Sequence, residues 1–157
     1  MYPTNHRRRG RAAGMTLVEL AVALTLVAVL VALGLPMFQG WRNKARVQQA
    51  QNDIIAVSSV IDAFLLDNNR LPANLGEVGR ANLLDPWGRV YQYTNLMDAN
   101  GNGQARKDHS LVPLNTDYDL FSAGPDGSSS PPLTAQGSRD DILRARNGRF
   151  VGPASQF

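Results

Sequence analysis

The sequence is poor in the residue types that most often carry out chemistry. Its 157 residues include no cysteine and two histidines, His6 and His109. The absence of cysteine excludes disulfide bonds and thiolate sites, although it does not exclude an oxidising compartment. The two histidines are far apart in sequence, and neither has the spacing of a zinc site. No nucleophile–base motif, phosphate-binding loop or dinucleotide-binding glycine pattern is present, so the sequence gives little support to an enzyme.

Acidic residues are absent from the first 14 positions, which contain four arginines, Arg7, Arg8, Arg9 and Arg11. The whole chain has 16 Lys and Arg against 13 Asp and Glu, a formal charge of +3. Without residues 1–14 the balance is 12 against 13, a formal charge of −1. The positive excess therefore belongs to the first segment, and it is typical of the cytoplasmic flank of a membrane span. We expect no nucleic-acid binding, because residues 68–157 also lack a stripe of basic and aromatic residues.

Strongly polar side chains are almost missing from Leu20–Leu35, where Thr25 is the exception. Met15 to Phe38 is 24 residues. As a helix it is about 36 Å long, enough to cross a bilayer core of about 30 Å. Glu19 lies just inside this segment, and a lone acid costs about 2.5–3.5 kcal/mol to insert into lipid, so it indicates a functional site. An ordinary secretory signal is the alternative, but the run is long for one and no clear cleavage site follows it.

Beyond the apolar run, the spacing of apolar residues predicts that the helix continues. They recur at intervals of three and four, which places them on one helical face: Val47, Ala50, Ile54, Val57, Ile61 and Phe64. We expect one continuous helix from about Thr16 to Leu66. Two helices separated at Pro36 are the alternative, because proline removes a helical hydrogen bond.

The remaining sequence predicts a small β-sheet. Asp85-Pro86-Trp87-Gly88 is a turn signature, and the alternation over 89–94 predicts a strand. Two further strand candidates are 110–114 and 119–122. The first contains a proline, which restricts it to an edge of the sheet. A three-stranded antiparallel sheet needs a cover, which the helical stripe can supply. The tail from Gly124 to Phe157 is rich in Gly, Ser and Pro, and its composition predicts a loop at 128–132. Because the tail ends on the apolar residues Val151 and Phe157, we expect it to pack back onto the sheet. The predicted fold class is α+β, a long N-terminal helix packed on a small antiparallel sheet.

The N-terminal region resembles the type IV pilin superfamily, on the residues Gly14-Met15-Thr16-Leu17-Val18-Glu19-Leu20, the apolar run and Pro36. The resemblance implies that a prepilin peptidase cuts between Gly14 and Met15 and then methylates the amino terminus of Met15. Glu19 and Pro36 take the family's positions in the mature chain, whereas Met15 replaces the usual phenylalanine. The resemblance also implies that Glu19 pairs with the methylated amine of Met15 in a neighbouring subunit.

The same resemblance divides the chain into four segments. These are a cleaved basic leader (1–14), a transmembrane and filament-core helix (15–38), an amphipathic helical half (39–67) and a β-rich head with a C-terminal loop (68–157). It implies a single-pass inner-membrane protein, with a cytoplasmic N-terminus and a periplasmic head, that is later drawn into a filament. The implied partners are further copies of the chain, minor pseudopilins, the inner-membrane assembly platform and the prepilin peptidase.

The second half narrows the resemblance to the major pseudopilins of type II secretion systems. The matching residues are Asp85-Pro86-Trp87-Gly88 followed by Tyr91 and Tyr93, and the run Tyr118-Asp119-Leu120-Phe121-Ser122-Ala123-Gly124-Pro125-Asp126-Gly127. The implied function is that of a structural subunit of a pseudopilus that supports protein secretion across the outer membrane. The alternative is a type IV pilin or minor pilin-like subunit of a surface filament for adhesion, motility or DNA uptake.

Major pseudopilins bind a calcium ion in the loop after the last strand, and the resemblance implies the same here. The matching positions are the carbonyl of Ala123 and the side chains of Asp126, Ser128, Asp140 and Asp141. Oxygen ligands of this kind suit calcium. The connecting segment 129–139 is longer than is usual in the family. The alternative is a solvated Asp-Gly turn followed by a helix-capping Asp140.

A second candidate calcium loop contains Asp98, Asn100 and Asn102. Together with Gly103 they match the first half of an EF-hand loop. The twelfth position, which needs a bidentate glutamate, is His109, and no helical pattern flanks the segment. A hairpin tip rich in Gly and Asn is therefore the favoured interpretation.

Overall fold

A computed structural model describes residues 14–98 and 103–157 of the chain. Within these residues it contains one α-helix, α1 (Leu17–Asn68), and a four-stranded antiparallel sheet. The strands are adjacent in sequence order: β1 (Gln92–Asn95), β2 (Tyr118–Ser122), β3 (Ile142–Ala145) and β4 (Phe150–Pro153). Short 3-10 helices precede β3 and follow β4, at Gln136–Ser138 and Ala154–Gln156. The chain divides into two compact units, Met1–Trp41 and Arg42–Phe157.

The first unit contains the apolar part of α1. The predicted continuous helix is confirmed, because α1 includes Pro36 rather than ending there. Among the described residues, α1 is the one helix whose length and composition allow it to cross a membrane. The large apolar side chains from Leu17 to Leu35 are exposed. This part of the helix is therefore left without a cover among the residues that the structure describes.

The second unit is organised around the predicted apolar stripe. Ala50, Ile54, Val57 and Ile61 are each no more than 1% exposed, which confirms the helical period. They form one core with residues that follow the helix and lie on the sheet: Leu71, Leu75, Tyr91, Tyr118, Leu120 and Ile142. Val47 packs against this core and is partly buried. One face of the sheet is thus covered by α1.

A second core covers the opposite face of the sheet. It consists of Leu114, Leu133, Leu143, Ala145 and Ala154, with Phe121, Phe150 and Phe157 partly buried against them. Successive residues of a strand point to opposite faces, so Ile142 joins the helix-side core while Leu143 joins the second core. The sheet is therefore buried on both faces, and the tail contributes Ala154 and Phe157 to the second core.

The tail from Gly124 to Phe157 packs onto the sheet through Val151 and Phe157, as expected, and it contains two strands that the sequence did not locate. Strands β3 and β4 pair from Ile142 opposite Pro153 to Ala145 opposite Phe150. The turn between them is built by Arg146, Asn147 and Gly148, whose φ angles are +53°, +53° and +86°. Asn and Gly tolerate this left-handed conformation, so Asn-Gly was the signal for a hairpin.

The prediction of a strand at Ser110–Leu114 was wrong. The carboxylate of Asp108 accepts hydrogen bonds from the amides of Ser110 (2.7 Å) and Val112 (2.9 Å), which folds the chain back locally. Leu111 takes a φ of +64°, outside the strand region. Pro113 has no N–H to donate, and it makes only an isolated bridge to Lys107.

The buried stripe gives a direct test of the fold. We expect Ile54→Ala to lower the free energy of unfolding by about 2–5 kcal/mol, because Ile54 is fully buried and a cavity would remain. The neighbouring Ile55 is 52% exposed, so Ile55→Ala should change it by no more than about 0.5 kcal/mol. Urea unfolding of the full chain in detergent micelles, followed by near-ultraviolet circular dichroism, measures both. Equal effects of the two substitutions would contradict the placement of the stripe.

Candidate functional site

The start of α1 carries a reciprocal hydrogen-bonded cap between Thr16 and Glu19. Glu19 Oε2 accepts hydrogen bonds from the amide and the hydroxyl of Thr16, each at 2.9 Å. The Thr16 hydroxyl in turn accepts a bond from the Glu19 amide at 3.2 Å. This is a capping box, in which two amides that the helix leaves unpaired are satisfied by side chains. The lone acid of the apolar segment is therefore bonded within its own chain.

Gly14 and Met15 directly precede this cap, and the Met15 side chain is exposed. The other polar residue of the segment, Thr25, donates its hydroxyl to the Val22 carbonyl at 2.8 Å. Its hydrogen-bonding capacity is thus met by the helix itself. Glu19 differs from Thr25 because it is a charged group at the end of the apolar segment.

The second candidate site is the turn that follows β2. The Ala123 carbonyl accepts a bond from the Gly127 amide at 3.1 Å, and Asp126 Oδ1 accepts one from the Ser128 amide at 2.7 Å. Asp140 reaches this turn, since its Oδ2 accepts a bond from the Asp126 amide at 3.1 Å. Gly124 leaves space for that approach, because a Cβ there would lie 2.2 Å from the Asp140 carbonyl oxygen. Four of the expected ligand positions are therefore near one another along a single turn and Asp140.

Asp141 has a different environment from Asp140. It is fully buried, and its Oδ2 accepts bonds from Arg106 Nη2 (2.5 Å) and from the Ser129 hydroxyl (2.7 Å). Its other oxygen, Oδ1, is buried without a hydrogen-bond partner. Burial raises the pKa of the Asp141 carboxyl, while the Ser129 hydroxyl and the charge of Arg106 oppose that rise. An arginine therefore occupies one side of this expected calcium ligand.

A second arginine contacts the same loop from the Asp85 turn. Arg89 Nη1 donates to the Gly124 carbonyl at 2.5 Å, and Nη2 donates to the Pro125 carbonyl at 3.3 Å. Arg89 is itself positioned by Asp85, whose Oδ1 accepts from the Arg89 amide at 2.9 Å. The predicted turn at Asp85–Gly88 is confirmed, with Gly88 donating to the Asp85 carbonyl and a φ of +87° at Gly88.

Within residues 14–98 and 103–157, there is no group of three or more His, Cys, Asp or Glu side chains that could hold a metal ion. Asp126 and Asp140 are linked to each other through the Asp126 amide, which donates to Asp140 Oδ2. In the weaker calcium candidate, Asp98 Oδ2 accepts a bond from Asn95 at 3.2 Å. Asn100 and Asn102 lie outside the described residues.

The sequence did not predict that Arg89 and Arg106 contact the loop between β2 and β3. Arg106 is separated from its partners Ser129 and Asp141 by 23 and 35 positions, and Arg89 from Gly124 by 35. No local pattern announces such contacts. The available signal was indirect: two acids side by side at 140 and 141, one of which had to be paired once buried.

Comparisons with known proteins cover both parts of the chain. Residues 9–35 match the family described as the prokaryotic N-terminal methylation motif. The type II secretion system core protein G of Escherichia coli K12 is 31% identical, over 82% of this chain and 88% of that protein. The protein of the same name from Pectobacterium carotovorum is 32% identical, over 84% and 83%. That of Pseudomonas aeruginosa is 28% identical, over 76% and 88%.

The similarity therefore extends from the methylation motif through the head, and it favours a secretion pseudopilin over a surface pilin. The long N-terminal helix on an antiparallel sheet agrees with the pilin-like fold expected from the sequence. Proteins of this group are structural subunits rather than enzymes. The chain belongs to the family of type II secretion system core protein G, the major pseudopilins.

Proposed function

We propose that the chain is made as a precursor, cut between Gly14 and Met15, methylated at Met15, and then polymerised through residues 15–38. The observation that carries this proposal is the exposed apolar part of α1, which follows the methylation motif. Before assembly this segment crosses the inner membrane, with residues 1–14 cytoplasmic and the head, 68–157, periplasmic. The basic leader agrees with that orientation.

The apolar segment must be kept out of water at every stage of the proposed assembly. Leu17, Leu30 and Leu33 are at least 70% exposed, and covering a side chain of this size is worth about 1.5–3 kcal/mol. Lipid provides that cover first, and the same segments of neighbouring subunits provide it in the filament. Minor pseudopilins and the inner-membrane assembly platform are the proposed partners during this transfer, and a prepilin peptidase is the processing enzyme.

Glu19 is the proposed register element of the filament. Cleavage creates a positive amine at Met15, and an amine and a carboxylate that are both unpaired in an apolar bundle are costly. A carboxylate accepts about four hydrogen bonds, so Glu19 can take the amine of a neighbouring Met15 while Thr16 remains bonded. Pro36, inside α1, is the proposed point at which the helix yields during assembly, since proline removes one helical hydrogen bond.

We expect Glu19→Ala to reduce assembled pseudopilin to less than about a tenth of the wild-type amount, because the Met15 amine would be buried unpaired. Shearing of filaments from cells that overproduce the chain, followed by immunoblotting, measures this amount. Thr25→Val is the matched control, because the Thr25 hydroxyl is satisfied by its own helix and its loss should leave assembly near normal.

Both variants should appear in the membrane fraction at wild-type levels. Assembly of Glu19→Ala with normal efficiency would contradict the proposed pairing. Equal loss of assembly in the two variants would contradict a specific role for the charge.

We further propose that one calcium ion binds at the turn after β2. The carboxylates of Asp126 and Asp140 and the carbonyl of Ala123 would hold it, with Ser128 beside them, and the unpartnered Oδ1 of Asp141 is a further available oxygen. Hard oxygen donors of this kind suit calcium, and water completes the usual six to eight ligands. Bound calcium would supply a cross-link between the turn and the start of β3. Asp98 is not part of this proposal, because the other two members of that candidate, Asn100 and Asn102, lie outside the described residues.

Calcium binding is testable on the full chain in detergent micelles. We expect Asp126→Asn and Asp140→Asn each to weaken calcium binding at least about tenfold by calorimetry, because each removes one of the few negative ligands. Asp67→Asn, which removes an exposed charge at the end of α1, is the control and should bind calcium as the wild type does. Unchanged affinity in both loop variants would show that calcium, if it binds, binds elsewhere.

A further inference from the structure

The segment 129–141, which leads from the turn after β2 to the start of β3, is tied to the sheet through Arg106. The guanidinium of Arg106 donates to the Ser129 hydroxyl at 2.6 Å and to Asp141 Oδ2 at 2.5 Å. Ser129 also donates to the same Asp141 oxygen at 2.7 Å, so the three side chains form a closed triangle. The side chain of Arg106 is 7% exposed and that of Asp141 is 0% exposed. We propose that Arg106 acts as a built-in cation that keeps this segment closed without a bound metal ion.

Arg106 is itself fixed from two further directions. Its amide donates to Asp119 Oδ2 at 2.6 Å, and its guanidinium lies 4.0 Å above the ring of Phe121. Both partners belong to β2, so the arginine joins this strand to the long segment and to the start of β3. A planar guanidinium can donate in two directions and stack on a ring at the same time, which an ammonium cannot do.

The long segment also brings its own apolar anchor. Leu133 is 2% exposed and is part of the core on the sheet face opposite α1. Its amide donates to the carbonyl of Lys107 at 3.0 Å, next to Arg106 in the chain. The Ser138 hydroxyl accepts a bond from the amide of Ser130 and donates to its carbonyl, which closes the base of the segment. These contacts contain no metal ligand.

The turn that begins the loop is held in the same manner by Arg89. Its guanidinium caps the carbonyls of Gly124 and Pro125. Gly127 is required for this approach, because a Cβ there would lie 2.4 Å from Arg89 Cζ. Two arginines from outside the loop therefore satisfy oxygens on its first turn and on its last residues. This closure goes beyond the proposed calcium site, because Arg106 bonds Oδ2 of Asp141, whereas the calcium proposal uses Asp126, Asp140 and the other Asp141 oxygen, Oδ1.

Hydrogen exchange of the full chain in detergent micelles, read by mass spectrometry, separates the two contributions. In wild type, we expect each amide of residues 129–141 to exchange at nearly the same rate in excess calcium chloride and in excess EGTA. The two rates should differ by no more than about twofold. Arg106→Met should accelerate exchange of these amides more than about tenfold in both solutions, because it leaves the buried Asp141 charge unpaired. The exchange rates of Arg106→Lys should lie between those of wild type and Arg106→Met. The lysine keeps the positive charge, but its ammonium cannot reproduce the planar contact in which Arg106 donates hydrogen bonds and stacks on a ring.

Arg149→Met is the matched control, because Arg149 is an exposed arginine in the turn between β3 and β4. It should leave the exchange of 129–141 within about twofold of wild type. The double variant Arg106→Met with Asp141→Asn should recover part of the protection lost in Arg106→Met, since no buried charge is then left unpaired.

The proposal is overturned if EGTA alone opens residues 129–141 in wild type by about tenfold or more, or if Arg106→Met leaves their exchange unchanged in EGTA. The wild-type measurement keeps the proposal testable even if Arg106→Met fails to fold. A chain that binds no calcium would refute the calcium proposal, and it would leave the comparison between Arg106 variants fully informative.

Discussion

The contact between the apolar stripe of α1 and the sheet is the interaction on which the rest of the head depends. The strands have only four or five residues each, and a sheet of this size is not stable with a bare face. Ile54, Val57 and Ile61 supply the cover on one side. Once β2 and β3 are fixed in this way, their other face also needs a cover, and residues from two separate loops and the tail provide it. The loops of the head therefore contribute buried residues to its core.

Buried charge is the second constraint, and arginines meet it. Arg106 pairs with Asp141 behind the sheet, while Arg144 on β3 pairs through both nitrogens with Asp117 at 2.7 and 2.8 Å and lies 3.9 Å above the Tyr118 ring. Removing either partner of the first pair, or Asp117 from the second, would leave a buried charge, which is far more costly than the pair is stabilising. Such pairs fix which segments lie together more than they add to stability. In this chain they fix the long connection that precedes β3.

The helix was predictable because its signal is periodic and local. The spacing from Val47 to Phe64 required no knowledge of distant residues, and the methylation motif identified the N-terminal segment. Strands β3 and β4 were missed because Arg144 and Arg146 interrupt an apolar pattern and the surrounding composition is typical of loops. Arg144 is buried only because Asp117, 27 positions earlier, neutralises it. The burial of Arg106 could not be predicted for the same reason, because its partner Asp141 lies 35 positions later. At the candidate calcium site, the resemblance brought Asp126 and Asp140 to attention, while the arginine beside Asp141 required the folded chain.

The N-terminal part of α1 presents the opposite situation from the head. Within residues 14–98 and 103–157 its apolar side chains have no cover, and its single acid accepts hydrogen bonds from Thr16. The central claim is that this segment is retained after processing and becomes the core of a filament of identical subunits. The most direct measurement is the intact mass of the chain isolated from sheared filaments. The account predicts a polypeptide that begins at Met15 and carries one added methyl group. A filament subunit that begins beyond residue 35, or that retains residues 1–14, would contradict it.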